Sequence, residues 1–197
     1  MRYEAGHKEK TRETLLKETA KALRRVGPHQ LGVAKVMASA GLTHGGFYAH
    51  FKSRDEMIAE GISRMFEESR SRLPPEDPAA PPKQALKDYI VFYLSAAHRD
   101  SRSTGCPLPF LSADAPRLGE ESRRRFADGV DMMRARLEAK LAACGRPDAA
   151  AESSSLLAEL VGALALARAE PDREASDRIM ANSLAHLFRR FDLEDLT

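Results

Sequence analysis

At 197 residues the chain has room for one substantial domain, or for a small domain joined to a larger one. Its 43% hydrophobic and 30% charged residues fit a globular protein and exclude a disordered one. No apolar run approaches the roughly 18 residues of a membrane helix, the opening "MRYEAGHKEK" has no apolar segment behind it, and two cysteines, Cys106 and Cys144, make neither a disulfide framework nor a four-ligand metal site. The expectation is a reduced, cytoplasmic protein without membrane, metal or cofactor. The net charge of +2 is unevenly spread: residues 1–56 carry eleven Lys/Arg against six Asp/Glu, and the remainder twenty against twenty-three. A basic amino-terminal section on a near-neutral body fits a polyanion-binding module attached to a part with another task, and equally a solvated basic surface.

The predicted elements are all helical. Leu16, Ala20 and Leu23 mark a first helix over about residues 8–26, stopped by Gly27-Pro28. Val33, Val36, Met37 and Ala40 mark a short second helix stopped by Gly41, and Thr43 is a good N-cap for a third. "SRDE" (Ser53 to Glu56) reads as a capping box opening a fourth helix through Met57, Ile58, Ile62, Met65 and Phe66. "LPPEDPAAPP" (Leu73 to Pro82) is a linker. Leu86, Ile90, Tyr93 and Ala97 follow as one amphipathic helix, which "DSRSTGCPLPF" (Asp100 to Phe110) interrupts. Phe126, Val130, Met133, Leu137, Leu141 and Cys144 form one buried stripe of a long helix ended by Gly145. Pro147 is placed as the N1 residue of a further helix containing "SSSLLAELVGALALARA", and Pro171-Asp172 opens the last, with Met180, Leu184, Leu187, Phe188 and Phe191 on one side.

Two short helices joined by a glycine-containing turn have the organisation of a helix-turn-helix, whose second helix enters the major groove of DNA. Leu42 and Phe47 would anchor that helix, leaving Thr43, His44, Gly45, Tyr48 and His50 on or beside its outer face. Two adjacent glycines, Gly45 and Gly46, each cost a helix roughly 1 kcal/mol relative to alanine. Their missing side chains would let the backbone approach a duplex. His44 and His50 lie six apart, on different faces of a helix, which argues against their sharing a metal.

"GLTHGGFYAHFKSRDEMI" closely resembles the signature of the TetR family of bacterial transcriptional regulators, nearly continuously from Val33 to about Gly61. The family places Thr or Ser as cap before the second helix, where this chain has Leu31 and Gly32, and an aromatic where it has Pro28. The resemblance implies an all-α protein: a three-helix helix-turn-helix DNA-binding domain over 1–53, and a ligand-binding and dimerisation domain of five or six helices over 54–197. It implies that Thr43, His44, Gly45, Gly46, Tyr48, His50 and Lys52 meet DNA, with Tyr48 and Lys52 on phosphates and His44 among the base readers, while Phe47 and Phe51 stay in the core. It also implies a homodimer through the last two helices, about 148–168 and 171–191, and a pseudo-palindromic operator released by a small-molecule effector.

The candidate effector lining is Tyr89, Phe92, Tyr93, His98, Cys106, Phe110, Phe126, Met132 and Met133, residues that would serve equally as core. The "GC" at Cys106 resembles a subgroup with electrophile- and oxidant-responsive repressors, so Cys106 is either a redox-sensing thiol or a small packing residue. An enzyme built on a Cys106–His98 pair has no oxyanion-type glycine loop, orienting carboxylate or cofactor motif to support it.

Overall fold

The computed structural model describes residues 2–73 and 79–194, among which every regular element is helical. Residues 74–78 of the expected linker lie outside the described part. Two compact units emerge, one of residues 1–71 with 102–129, the other of 72–101 with 130–197.

The first unit is framed by α1 (Arg2–Gln30) and α3 (Arg54–Ser71). Gly27 breaks α1 with φ +72°, so the expected stop holds, but the helix begins well before residue 8. Of the expected stripe, Ala20 and Leu23 are buried, but Leu16 is only half-buried, and Leu15 and Thr19 are buried in its place. Adjacent leucines fit two stripes about 100° apart, and α3 decides between them. Thr19 satisfies its hydroxyl on the Leu15 carbonyl (2.8 Å) and turns its methyl to Gly61 of α3. A Cβ at Gly61 would lie 2.5 Å from that methyl, so the two helices can approach this closely only over a glycine.

α2 (Val33–Ser39) buries Val36 and Met37, and Val33 only partly. Gly41, at φ +74°, turns the chain into the segment that follows. That segment, His44–Ala49, is a 3-10 helix rather than an α-helix. Residues 102–129 complete the unit with a single turn, α6 (Leu108–Leu111), a 3-10 turn at Ala115–Arg117, and the start of α7 (Glu120–Ala143). Phe66 and Phe126 meet at 6.2 Å, and a Cβ on Gly129 would collide with the Phe66 ring.

In the second unit α4 (Pro82–Tyr93) ends before Ala97, because the Ser95 hydroxyl accepts the His98 amide (3.1 Å) and caps a separate α5 (Ala96–Asp100). Arg168 of α8 (Ala149–Ala169) donates to the carbonyls of His98 and Arg99, at 2.9 and 3.1 Å. Buried Arg99 reaches Ser176 (2.9 Å) and Asp177 of α9 (Arg173–Arg190). Gly145 stops α7 at φ +76°, but Pro147 stands outside α8, whose N-cap is Asp148. Asp172 caps α9 as expected, accepting from the Ala175 amide at 2.8 Å.

Contrary to the expectation, α8 is by length and mean hydropathy apolar enough to cross a membrane. Its unbroken apolar runs are short, but leucine, valine and alanine raise the average across Glu152 and Glu159. Its buried face packs on α9.

His98 donates from Nδ1 to the Tyr93 carbonyl (2.8 Å) and lies edge-on to the Tyr93 ring and parallel to Phe92. Burial pushes its pKa down to about 4, the carbonyl opposes this, and Arg168 adds to it. Below pH 6.5 the unfolded chain takes up a proton that the folded chain refuses until about pH 4, so stability falls as pH drops through that window. Urea midpoints should show a loss on the order of 3 kcal/mol from this group, and His98→Gln, which keeps a donor for the carbonyl, should remove that share of the pH dependence.

Candidate nucleic-acid interface

The 3-10 helix His44–Ala49 carries its anchors and its exposed groups on opposite sides. Phe47 and Phe51 are 3% and 2% exposed, 5.7 Å apart, with the Arg12 guanidinium 5.1 Å above Phe51. Arg12 is itself held by an ion pair with Glu60 of α3. Tyr48 stands edge-on to Phe47 yet is 76% exposed, which directs its ring outward from a fixed base. Leu42, expected as a second anchor, is only half-buried.

Thr43, His44, Gly45 and Lys52 are exposed alongside Tyr48. Thr43 occupies the N-cap position, but its hydroxyl makes no capping bond, and so stays available to an outside partner. His50 is half-buried; burial first, then Lys8 and Arg12, lower its pKa.

The glycine pair has no structural reason inside the chain. Neither Gly45 nor Gly46 has positive φ. A Cβ on Gly45 would meet nothing within 4 Å, and one on Gly46 only an ordinary contact, 3.6 Å from Met37 Cε. Alanine would fit at both positions and favour the helix.

α3 fixes the far end of this surface. The Ser53 hydroxyl accepts the Glu56 amide (3.0 Å), but Glu56 reaches back to the Lys52 amide rather than to that of Ser53. The capping box is thus formed one residue wide of its usual closure. The Arg54 guanidinium donates to the carbonyls of Pro28, His29 and Leu31, the last at 3.2 Å from two nitrogens. One side chain therefore ties the start of α3 to the α1–α2 connection. Asp55 accepts from the Ser122 hydroxyl at 2.8 Å and lies where a Cβ on Gly119 would be 2.6 Å away. Neither tie was visible in the sequence, since the partners lie 23 to 67 residues apart.

The expected effector residues divide between the two units. Tyr89, Phe92, Tyr93 and His98 form one aromatic cluster in the second unit, where half-buried Met133 also lies. Cys106, Phe110 and Phe126 belong to the first, and Cys106 is fully buried. Met132 is 41% exposed and lines no interior.

Residues 15–60 match the family model described as bacterial regulatory proteins, tetR family. No curated protein matches the chain. Among solved structures, a TetR transcriptional regulator from Chloroflexus aurantiacus superposes with a TM-score of 0.79 at 21% identity, covering 98% of this chain and 97% of that one. The reduced form of NemR from E. coli gives 0.73 at 21%, covering 91% and 97%, and a TetR-family regulator from Agrobacterium tumefaciens 0.75 at 21%, covering 91% and 98%. At these identities the likeness concerns the fold.

Arg54→Ala should lower stability by about 1–2 kcal/mol in urea unfolding, because it leaves the carbonyls of the α1–α2 connection without their charged donor. Arg54→Lys should recover only part of the loss, since an ammonium cannot span them as a fork.

Proposed function

We propose that this chain, whose residues 15–60 match the model of the TetR family of bacterial regulatory proteins, is a member of that family: a homodimeric, cytoplasmic repressor whose residues 1–53 bind a pseudo-palindromic operator and whose residues 54–197 answer to a small-molecule effector. The observation that carries the DNA reading is the glycine pair, which leaves a gap on a surface otherwise crowded with hydrogen-bonding side chains and serves nothing within the fold. Thr43 and His44 read bases, with the Gly45-Gly46 backbone close to the duplex. Tyr48, His50 and Lys52 grip phosphates, which fix register without sequence information.

One such head covers too few base pairs for specificity, so a second copy is required. The dimer surface we propose lies on α8 and α9, about 148–168 and 171–191. Ala151, Ser155, Ala158 and Leu166 are exposed on one side of α8, Leu166 to 63%, and a Cβ on Gly162 would meet nothing within 4 Å. Paired across a two-fold axis, small residues of this kind allow the close helix approach of a four-helix bundle. Effector recognition falls to the aromatic cluster of Tyr89, Phe92, Tyr93 and His98.

A second reading places the switch at Cys106, through oxidation or alkylation. It is supported by the fold's likeness to NemR, whose structure is described as a reduced form. A Cys106→Ser protein released from DNA by the same oxidants as the parent would eliminate it.

Tyr48→Phe should weaken binding to every duplex by about 1 kcal/mol. Lys52→Ala should do likewise and reduce the slope of log K against log salt by about 1. His44→Ala should instead change base preference at a constant slope. Titration of the three variants at several salt concentrations checks the assignment, and parental binding by all three would refute it.

A further inference from the structure

His50 closes the recognition turn, its amide donating to the Phe47 carbonyl at 2.9 Å. The ring is half-buried, and Nδ1 is covered and meets no hydrogen-bond partner among the described residues. An imidazolium carries an N–H on each ring nitrogen, so protonation would enclose a donor at Nδ1 that has no acceptor. The surrounding charges work in the same direction. Burial first, then Lys8 and Arg12 of α1, hold the His50 pKa below the ordinary histidine value. The α3 carboxylates that act on Arg12, Glu60 and Glu56, are both engaged, Glu60 by Arg12 itself and Glu56 by the Lys52 amide. On the segment that carries His50, the charged side chain is that of exposed Lys52. In the free protein at neutral pH, His50 is therefore an uncharged imidazole near two cations, with no carboxylate partner among the described residues.

A duplex phosphate beside this ring changes the local field. Its charge offsets Lys8 and Arg12 and favours the protonated imidazole. The covered Nδ1 and the two cations keep the proton off until the phosphate arrives, so protonation is coupled to binding. We propose that DNA binding draws a proton from solvent onto His50, so that the hold on the duplex tightens as the pH falls. The inference rests on the DNA reading and adds to it a dependence on acidity that contact alone does not require. The titration midpoint of His50 then lies higher in the complex than in the free protein. Affinity rises as the pH falls from the first midpoint to the second and is level on either side. A full proton taken up corresponds to about tenfold per pH unit. His44, the other histidine of the turn, is exposed and serves as the comparison.

The test measures affinity for a duplex of arbitrary sequence at constant ionic strength, from about pH 7.5 to about pH 5.5, across the ordinary histidine range. The parent is compared with His50→Gln and His44→Gln. The readout is the slope of log K against pH, since each substitution also removes a contact. The parent should bind more tightly toward acid, by about threefold or more over the range. His50→Gln should lose most of that gain, and His44→Gln should keep the His50 share of it. In a second arm, nitrogen NMR of the histidine-labelled parent follows the His50 ring with and without duplex, which needs no substitution. A higher midpoint in the complex is the expected result. An equal or lower midpoint in the complex overturns the proposal, as does a His50→Gln protein that keeps the parental slope. A parent that binds the duplex equally at every pH overturns it too. A parent that binds no duplex at any pH or salt removes the DNA reading, and this inference with it.

Discussion

Two buried phenyl rings hold the exposed surface around His44–Ala49 in place. A six-residue 3-10 helix has too few hydrogen bonds to persist alone, and this one contains two glycines at roughly 1 kcal/mol each. Phe47 and Phe51 are buried almost completely, and each contributes about 1.5–3 kcal/mol through that burial. Their combined gain exceeds the glycine cost, so no side chain on the outer face is needed for stability. Thr43, His44, Tyr48 and Lys52 can then point outward without weakening the fold.

The rings depend in turn on the α1–α3 frame. Arg12 covers Phe51 and is held by Glu60, while Gly61 lets Thr19 and Leu23 pack directly on the α3 backbone. Arg54 ties the first turn of α3 to the α1–α2 connection, and Asp55 in the same turn is held by Ser122. Lys52 stands two residues before Arg54. The same compact unit contains Cys106, next to Gly105, whose carbonyl accepts from buried Arg24 of α1 at 3.1 Å.

What the sequence made legible was local. Gly27, Gly41 and Gly145 stop helices with positive φ, and Ser53 and Asp172 cap them, because each acts within a few residues of itself. The short string from Leu42 to Glu56 contains its anchors, exposed groups and cap together, so which side chains are buried and which exposed was legible there, Leu42 excepted. Leu15 displaced Leu16 from the stripe because only α3 distinguishes two adjacent leucines. α4 stopped early because Ser95 caps α5, a competition that apolar spacing does not register. The Arg54 and Asp55 ties join distant positions, and no spacing rule announces them. No local spacing groups the candidate effector residues, whereas in the structure Tyr89, Phe92, Tyr93 and His98 meet in one cluster.

If the glycines serve DNA binding as proposed, Gly45 and Gly46 lack side chains for the sake of a duplex and not for the sake of the fold. Gly45→Ala separates the two in one protein, since the new methyl has open space and an ordinary backbone conformation. Melting temperature and duplex affinity should be measured together. The melting temperature should be unchanged or higher, because alanine has the better helix propensity, while DNA affinity falls tenfold or more. Parental affinity in the alanine protein would contradict it.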